Sequence, residues 1–120
     1  MAKLKSHPKT YAEAVEVLNG RISMKLGNNT YLEVPPGQHD FVAVRLHSTY
    51  IVKFWADGQV TLHTGGWQTV TTKDRLNEFI SQHIYQKDYV WYVVGHTPEG
   101  AYDWDNPVEF TEGMNVGGGL

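Results

Sequence analysis

Hydrophobic and polar residues recur along the chain with two periods, one typical of helices and one typical of strands. The stretch "TYAEAVEVLNG" spaces its apolar residues as one face of an amphipathic helix. Thr10 precedes it, and Glu13 follows three residues later, which is the capping-box pattern of a helix start. Gly20 is the residue type that most often ends a helix. A short first helix is therefore predicted between Thr10 and Gly20.

Strand periodicity dominates the next part of the chain. In "RISMKLGNNTYLEV" apolar and polar residues alternate on either side of "GNN", a turn sequence because Gly and Asn tolerate positive φ. "PPGQHD" is predicted as a loop, since prolines cannot sit inside a central strand. "FVAVRLH" and "YIVKFWADGQVTLHT" are the clearest strands. Together these segments predict consecutive antiparallel strands.

The turn "ADG" allows two strand registers, and the apolar pattern decides between them. A two-residue loop at "DG" would mix polar and apolar side chains on both faces. A three-residue loop over 56–58 pairs Phe54 with Val60 and Val52 with Leu62, so that the apolar side chains share one face. A slip of one residue reverses a whole strand, so the cleaner amphipathic solution is favoured. The three-residue loop is therefore predicted.

A second and longer helix is predicted for "TTKDRLNEFISQHIYQKD". Thr71 is its expected N-cap, with Asp74 at the third position able to reach back. Its apolar stripe consists of Leu76, Phe79, Ile80, His83 and Ile84. After it, "YVWYVVG" is predicted as a strand buried on both faces, and "AYDWD" and "NPVEF" as short strands that pair back.

The order of these elements predicts an α+β fold. We expect a single domain over residues 1–113, built as an antiparallel β-meander sheet with two helices packed on one face. The segment "TEGMNVGGGL" ends in glycines, so residues 114–120 are predicted to form a flexible tail. A length of 120 residues fits one domain of ordinary size.

Composition excludes several classes of site. The chain has no cysteine, which rules out a disulfide framework, a thiolate zinc site and a cysteine nucleophile. No apolar run approaches the roughly 18 residues that span a bilayer, and "MAKLKSHPK" lacks the apolar segment of a secretory signal. A soluble protein of the cytoplasm, without a membrane partner or a cofactor, is therefore predicted.

Charge is distributed unevenly over a net value of −3. Residues 1–60 carry seven Lys and Arg against five Asp and Glu, whereas residues 61–120 carry three against eight. Lys87 is the last basic residue of the chain. A mildly acidic chain does not favour sequence-independent DNA binding, which depends on phosphate neutralisation, although a local basic face remains compatible with it.

Two regions have residue types suited to ligand binding. On the outer face of the predicted hairpin, a tryptophan beside cationic side chains can stack a planar ligand and reach a phosphate. The residues of this face are Arg45, His47, Lys53, Trp55, Thr61 and His63. In the second region, "GGWQTVTTKDR", glycine amides and a helix start can hold an anion together with Trp67, Thr71, Thr72, Lys73 and Arg75. The competing interpretation is ordinary turn and surface chemistry.

Catalytic and metal-binding motifs are absent from the sequence. The six histidines show no H-x-H or H-E-x-x-H spacing, and a non-enzymatic role is favoured. A hydrolase built on His47, His63 and a carboxylate is the weaker alternative. In the C-terminal part, five acidic residues accompany Tyr102 and Trp104, a combination that can dock a basic protein partner. An exposed Trp-bearing sheet face is also compatible with a homodimer.

The middle of the chain resembles a group of small bacteriophage and prophage proteins. The resemblance rests on "KLGNNTYLE" and "VRLHSTYIVKFWADGQVTLHTGGWQTVTTKDRLN", and it covers roughly residues 12–80. It implies a phage origin and a role inside an infected cell, and it implies no activity. It directs attention to the polar and glycine positions Asn28, Asn29, Thr30, His47, Thr49, Gly65, Gly66, Trp67, Thr69, Thr71, Thr72, Lys73, Arg75 and Asn77.

The sequence thus leads to two functional hypotheses. The first is a phage protein that binds a nucleotide, a nucleic-acid segment or another phosphate-bearing ligand. In it, Trp55 or Trp67 stacks on the ligand; the groups that neutralise charge or donate hydrogen bonds are Arg45, Lys53, Lys73, Arg75, Thr71 and Thr72. The second is an inhibitor or adaptor that contacts a host protein through the aromatic and acidic surface.

Overall fold

The computed structural model describes residues 4–38 and 40–118. This part of the chain contains two helices and two antiparallel sheets. The helices are α1 (Tyr11–Leu18) and α2 (Val70–Asn77). The first sheet contains β1 (Ser23–Gly27), β2 (Thr30–Glu33), β3 (Phe41–Leu46), β4 (Thr49–Trp55) and β5 (Val60–Leu62). The second contains β6 (His83–Lys87), β7 (Val90–Val94) and β8 (Val108–Glu109). The predicted α+β class is confirmed, although the strands form two sheets.

The first sheet is a meander in which β1 to β5 pair in chain order. The predicted register of the β4–β5 hairpin is confirmed, because Phe54 pairs with Val60 and Val52 with Leu62. Gly58 has φ +98°, the left-handed conformation that the three-residue loop requires. Most apolar side chains consequently share one face of the sheet, and most polar ones share the other, together with Phe41 and Trp55.

Helix α1 begins and ends as its sequence predicts. Thr10 Oγ1 accepts a hydrogen bond from Glu13 N at 3.1 Å. The Glu13 carboxylate turns back and accepts from Lys9 N at 3.0 Å, one residue before the cap. The helix ends at Asn19 and Gly20, both with positive φ, which continues the chain out of the helix.

Helix α2 differs from its prediction at both ends. Its N-cap is Thr69, whose Oγ1 accepts from Thr72 N at 3.2 Å, so the prediction of Thr71 as the cap is wrong. The helix ends at Asn77. The predicted continuation through residue 88 is also wrong, because His83–Lys87 forms strand β6.

The β6–β7 hairpin explains why the helical prediction fails there. Lys87 pairs with Val90, so Asp88 and Tyr89 form a two-residue turn. Both have positive φ, which is the geometry of a type I′ turn. Ile84 pairs with Val93, and both are buried. The hairpin therefore buries apolar side chains by strand alternation. Over a run as short as β6, the spacing of the apolar residues fits a helix as well as a strand.

One hydrophobic core joins both sheets and both helices. Buried residues from each of these elements belong to it, including Leu18 of α1, Phe54 of the first sheet, Leu76 of α2 and Trp91 of the second sheet. The Asn77 side chain links the end of α2 to β6 by two hydrogen bonds. Its Nδ2 donates to Ile84 O at 2.9 Å, and its Oδ1 accepts from Ile84 N at 2.8 Å. This junction holds the end of α2 against β6 of the second sheet.

The segment that follows β8 runs back along β5. Met114 O accepts from Leu62 N at 3.0 Å, and Val116 N donates to Val60 O at 2.8 Å. Asn115 Oδ1 accepts from Val60 N at 2.9 Å. Residues 114–118 of the predicted tail thus contact the first sheet, and residues 119–120 lie outside the described part of the chain. The flexibility of residues 114–120 remains a prediction.

Candidate functional site

A cavity of about 490 Å³ lies where the β3–β4 turn, the loop between β5 and α2, and the first turn of α2 meet. Six hydroxyl side chains line it: Ser48, Thr49, Thr64, Thr69, Thr71 and Thr72. Leu46 and Ile51 form the apolar part of the cavity wall, and His47 and Trp67 are its remaining lining residues. Pockets of this size that combine apolar wall with a few convergent polar groups are typical of small-molecule sites.

The β3–β4 turn places His47 at the cavity. Leu46 pairs with Thr49, so His47 and Ser48 form a two-residue loop. His47 has φ +54°, a conformation that is uncommon for residues other than glycine. Its N–H donates to Asn29 O at 2.8 Å, which ties this turn to the β1–β2 turn.

The loop between β5 and α2 is shaped by two glycines and one buried threonine. Gly65 and Gly66 both have positive φ, and a Cβ on Gly65 would lie 3.0 Å from Thr49 Cγ2. Thr64 N donates to both carboxylate oxygens of Glu112, at 2.9 and 3.0 Å, and its hydroxyl also contacts that carboxylate. The loop therefore carries Trp67 outward, where its side chain is 68% exposed.

The start of α2 contributes backbone donors. An α-helix leaves the N–H groups of its first turn without intrahelical partners. Thr69 Oγ1 accepts a hydrogen bond from the N–H of Thr72. The N–H groups of Val70 and Thr71 have no acceptor within residues 4–38 and 40–118. These groups carry the positive end of the helix dipole, which favours an anion.

Arg75 is buried, and it forms no salt bridge within residues 4–38 and 40–118. It is 3% exposed, and neither Nε nor Nη1 has a hydrogen-bond partner in the described chain. Its Nη2 approaches Gly27, where a Cβ would lie at 3.9 Å. Arg75 follows Thr71 and Thr72 by one helical turn, the spacing at which side chains on one helix are neighbours. A buried guanidinium with no partner costs several kcal/mol of stability.

Arg45 lies on the outer face of the first sheet and is already paired. Its Nε is 2.8 Å from Glu33 Oε1, and its Cζ lies 4.5 Å from the centroid of the Tyr31 ring. Tyr50 donates its hydroxyl to the other Glu33 oxygen at 3.1 Å. Burial, and then the neighbouring Glu33 carboxylate, raise the pKa of Tyr50. Arg45 Nη1 also donates to His47 O, so this network extends from the outer face to the β3–β4 turn at the cavity.

Lys53, Trp55 and His63 occupy the same outer face. Lys53 Nζ is 5.1 Å from the centroid of the Phe41 ring, and the Trp55 ring packs on that same ring at 4.7 Å. Trp55 Nε1 donates to Thr61 Oγ1 at 2.9 Å, and His63 Nε2 lies 3.1 Å from that oxygen. Burial and the positive charge of Lys53 lower the pKa of His63, partly opposed by Glu112.

The structure therefore divides the predicted site residues into two groups. His47, Trp67, Thr71 and Thr72 line the cavity, and Arg75 lies one turn further along α2; Lys73 is half-exposed on α2 outside the cavity wall. The residues on the outer face of the sheet are Arg45, Lys53, Trp55 and His63.

The sequence interpretation did not single out Ser48 or Thr64. Ser48 could have been found from the two-residue spacing of the β3–β4 turn. Thr64 is positioned by Glu112, which is 48 residues away in the chain, so no local signal identifies it. Within residues 4–38 and 40–118, no three His, Asp or Glu side chains are grouped as ligands for a metal. His39, one of the six histidines, lies outside the described residues.

Comparison with known proteins identifies the family. The family model of the Kyanoviridae Gp96 protein matches residues 7–117, which is almost the whole chain. No curated protein and no solved structure matches at a significant level. In the described part of the chain, no helix is long and apolar enough to cross a membrane. The resemblance to a small phage protein family is confirmed, and the chain belongs to the Kyanoviridae Gp96 protein family.

Proposed function

We propose that this phage protein binds a small phosphate-bearing ligand, a nucleoside monophosphate or a molecule of similar chemistry, in the cavity between the β3–β4 turn and α2. The observation that carries the proposal is the buried Arg75 guanidinium, which has no counter-ion in the described part of the chain and lies one helical turn from the cavity hydroxyls of Thr71 and Thr72. A phosphate that reached Arg75 would supply the missing negative charge and accept from its fork of N–H donors.

The start of α2 supports the same choice of ligand. The N–H groups of Val70 and Thr71 lie at the positive end of the helix and have no acceptor among the described residues. The hydroxyls around the cavity can donate to phosphate oxygens or to the hydroxyls of a sugar. Helix dipole, backbone donors and Arg75 all favour an anion at this end of the cavity.

Trp67 supports a ligand with a planar ring. Its side chain lines the cavity and is 68% exposed, so one ring face is available without any rearrangement of the core. Stacking of a base on an aromatic side chain contributes about 1–3 kcal/mol to binding. Trp67 is therefore the residue that would distinguish a nucleotide from free phosphate.

Charge limits the ligand to few phosphates. Among the described residues no Lys or Arg lines the cavity wall, and Arg75 lies one helical turn beyond it. Arg45 is paired with Glu33, and the chain carries a net charge of −3. A nucleic-acid segment would need a continuous track of cations to offset its backbone. A single phosphate group suits this balance better. A phage protein of this kind would meet nucleotides in the cytoplasm of the host cell.

Titration calorimetry tests the proposal with nucleoside monophosphates, the corresponding nucleosides and inorganic phosphate. We expect a nucleoside monophosphate to bind more tightly than the corresponding nucleoside and more tightly than inorganic phosphate. Trp67→Ala should weaken the monophosphate about tenfold, the loss of one stacking contact, and leave inorganic phosphate unchanged. Trp104→Ala, an exposed tryptophan outside the cavity, is the matched control and should change neither. Absence of binding by every phosphate-bearing probe would refute the proposal.

A further inference from the structure

A cluster of aromatic rings covers the second sheet on the side away from the core. We call it the aromatic face; its rings are those of His83, Tyr85, Tyr92, His96, Tyr102 and Trp104. Neighbouring ring centroids in it are 4.8 to 5.9 Å apart, so the rings form one continuous surface. The cavity beside α2 includes none of these residues, so this surface is independent of the proposed phosphate site.

Strand register determines which side chains reach this face. Tyr85 pairs with Tyr92, and Tyr92 pairs with Glu109, so the three side chains point to the same side of the sheet. Ile84 and Trp91, which alternate with them, are buried on the core side. The aromatic residues are therefore not needed to fill the core.

The segment after β7 adds the outermost rings. His96 and Tyr102 form an isolated bridge, and Asp103 N donates to Gly95 O at 2.9 Å. This places Trp104 against Tyr85, with ring centroids 5.5 Å apart. Trp104 nevertheless remains 55% exposed and Tyr102 39% exposed. Large aromatic side chains that stay exposed together mark an interaction surface more often than isolated ones do.

The charges around the aromatic face are negative and unpaired. Asp103, Asp105 and Glu99 lie in the segment that carries Tyr102 and Trp104, and Glu109 lies beside Tyr92. The two salt bridges found within residues 4–38 and 40–118 involve Glu33 and Glu78, neither of which belongs to this region. The last Lys or Arg of the chain, Lys87, lies at the turn end of β6.

We propose that the aromatic face docks an arginine-bearing segment of a partner polypeptide. Planar guanidinium groups stack on exposed aromatic rings, and the same groups pair with carboxylates through two parallel hydrogen bonds. Trp104 and Tyr102 supply the rings. Asp105, the residue after Trp104, and Glu109, which pairs with Tyr92, are both exposed and supply the carboxylates. Lysine makes the charge contact without the planar stacking, so arginine is preferred over lysine.

Charge also argues against a second copy of the chain as the occupant. In a two-fold symmetric dimer the same patch of both copies meets, so the carboxylates around one aromatic face would approach those of the other. Like charges brought together in an interface are unfavourable. A cationic segment removes this repulsion and covers the exposed rings at the same time.

Fluorescence anisotropy with the full chain and a labelled peptide of alternating Arg and Ser tests the proposal. We expect saturable binding that weakens with added salt, and weaker binding of the matching Lys–Ser peptide. Trp104→Ala should weaken the Arg–Ser peptide about tenfold, the loss of its principal cation–π contact. The double variant Asp105→Asn with Glu109→Gln should weaken it and reduce its salt dependence.

Two variants away from this face serve as controls. Trp67→Ala removes an exposed tryptophan at the cavity, and Glu16→Gln removes an exposed carboxylate on α1. Both should bind the Arg–Ser peptide as the unmodified protein does. The proposal is overturned if the peptide does not bind, if the controls lose as much affinity as the Trp104 and carboxylate variants, or if Trp104→Ala instead abolishes a homodimer in sedimentation. Binding of a polysaccharide without binding of the peptide would also overturn it.

Discussion

The two arginines of the central region, Arg45 and Arg75, have opposite environments. Arg45 is partly exposed, pairs with Glu33 at 2.8 Å and packs on the Tyr31 ring. Arg75 is buried and lacks a partner for Nε and Nη1 among the described residues. A paired surface arginine adds modestly to stability, whereas an unpaired buried one reduces it. That difference is the reason why the proposed ligand is placed near Arg75 and not near Arg45.

His63 makes the stability of the protein depend on pH. Burial and Lys53 hold its folded-state pKa below the ordinary value of 6.5, so the unfolded chain binds this proton more readily. The contribution of neutral His63 is therefore complete above pH 6.5 and is lost as pH falls through the window below it. His63→Gln should flatten the decline of the unfolding free energy in that window, as measured by urea denaturation at several pH values.

Lys53→Met provides the control for this prediction. Removing the nearby positive charge should bring the pKa of His63 closer to 6.5 and flatten the same decline in part. If the pH profiles of the unmodified protein and His63→Gln run parallel, the environment assigned to His63 is wrong.

At the scale of elements, the β6–β7 turn contains a residue whose type does not match its conformation. Tyr89 has φ +68° and is 93% exposed, so its side chain contributes little packing in return for the unfavourable backbone. A left-handed conformation costs a residue with a Cβ roughly 1–2 kcal/mol, and glycine avoids this cost at some expense in chain entropy. Tyr89→Gly should therefore raise the unfolding free energy by about 1 kcal/mol in urea denaturation.

Tyr89→Ala separates backbone conformation from loss of the ring. Alanine keeps the Cβ and the strain, so its stability should stay close to that of the unmodified protein. A Tyr89→Gly protein that is less stable than Tyr89→Ala would show that the turn does not have the type I′ geometry.

The same turn shows how far the elements could be predicted from the sequence. The β4–β5 register was predictable because "ADG" supplies a glycine and the flanking residues alternate cleanly. The β6–β7 hairpin has Asp88 and Tyr89 where type I′ turns favour Asn and Gly, so no turn signal interrupts the apparent helix. The N-cap of α2 was misplaced because Thr69, Thr71 and Thr72 are all suitable cap residues.

At the scale of the whole molecule, the cavity depends on contacts between distant parts of the chain. The β3–β4 turn, the loop that Glu112 holds at Thr64, and α2 are brought together only by the complete fold. The sequence pointed to His47, Trp67, Thr71, Thr72 and Arg75 through residue type and resemblance. It could not separate them from the outer-face residues, because that separation follows from the side of the sheet on which each side chain lies.

The two proposed sites lie on different parts of the fold and call for ligands of opposite charge. The cavity and the start of α2 form the proposed anion site, and the aromatic face on the second sheet is the proposed site for a cationic segment. Asn77 connects the two regions, because it fastens α2 to β6 through two hydrogen bonds to Ile84. An anionic ligand at this site would compensate the one buried charge that the described structure leaves without a partner.

The most direct test is the unfolding free energy of Arg75→Met with and without inorganic phosphate, beside Arg45→Met as the matched control. In phosphate-free buffer Arg75→Met should equal or exceed the unmodified protein in stability, by up to about 4 kcal/mol, because a buried unpaired charge is removed. Arg45→Met should be less stable, because Glu33 loses its partner. Phosphate should stabilise the unmodified protein and Arg45→Met but not Arg75→Met. An equal phosphate response in Arg75→Met and the unmodified protein would contradict the account.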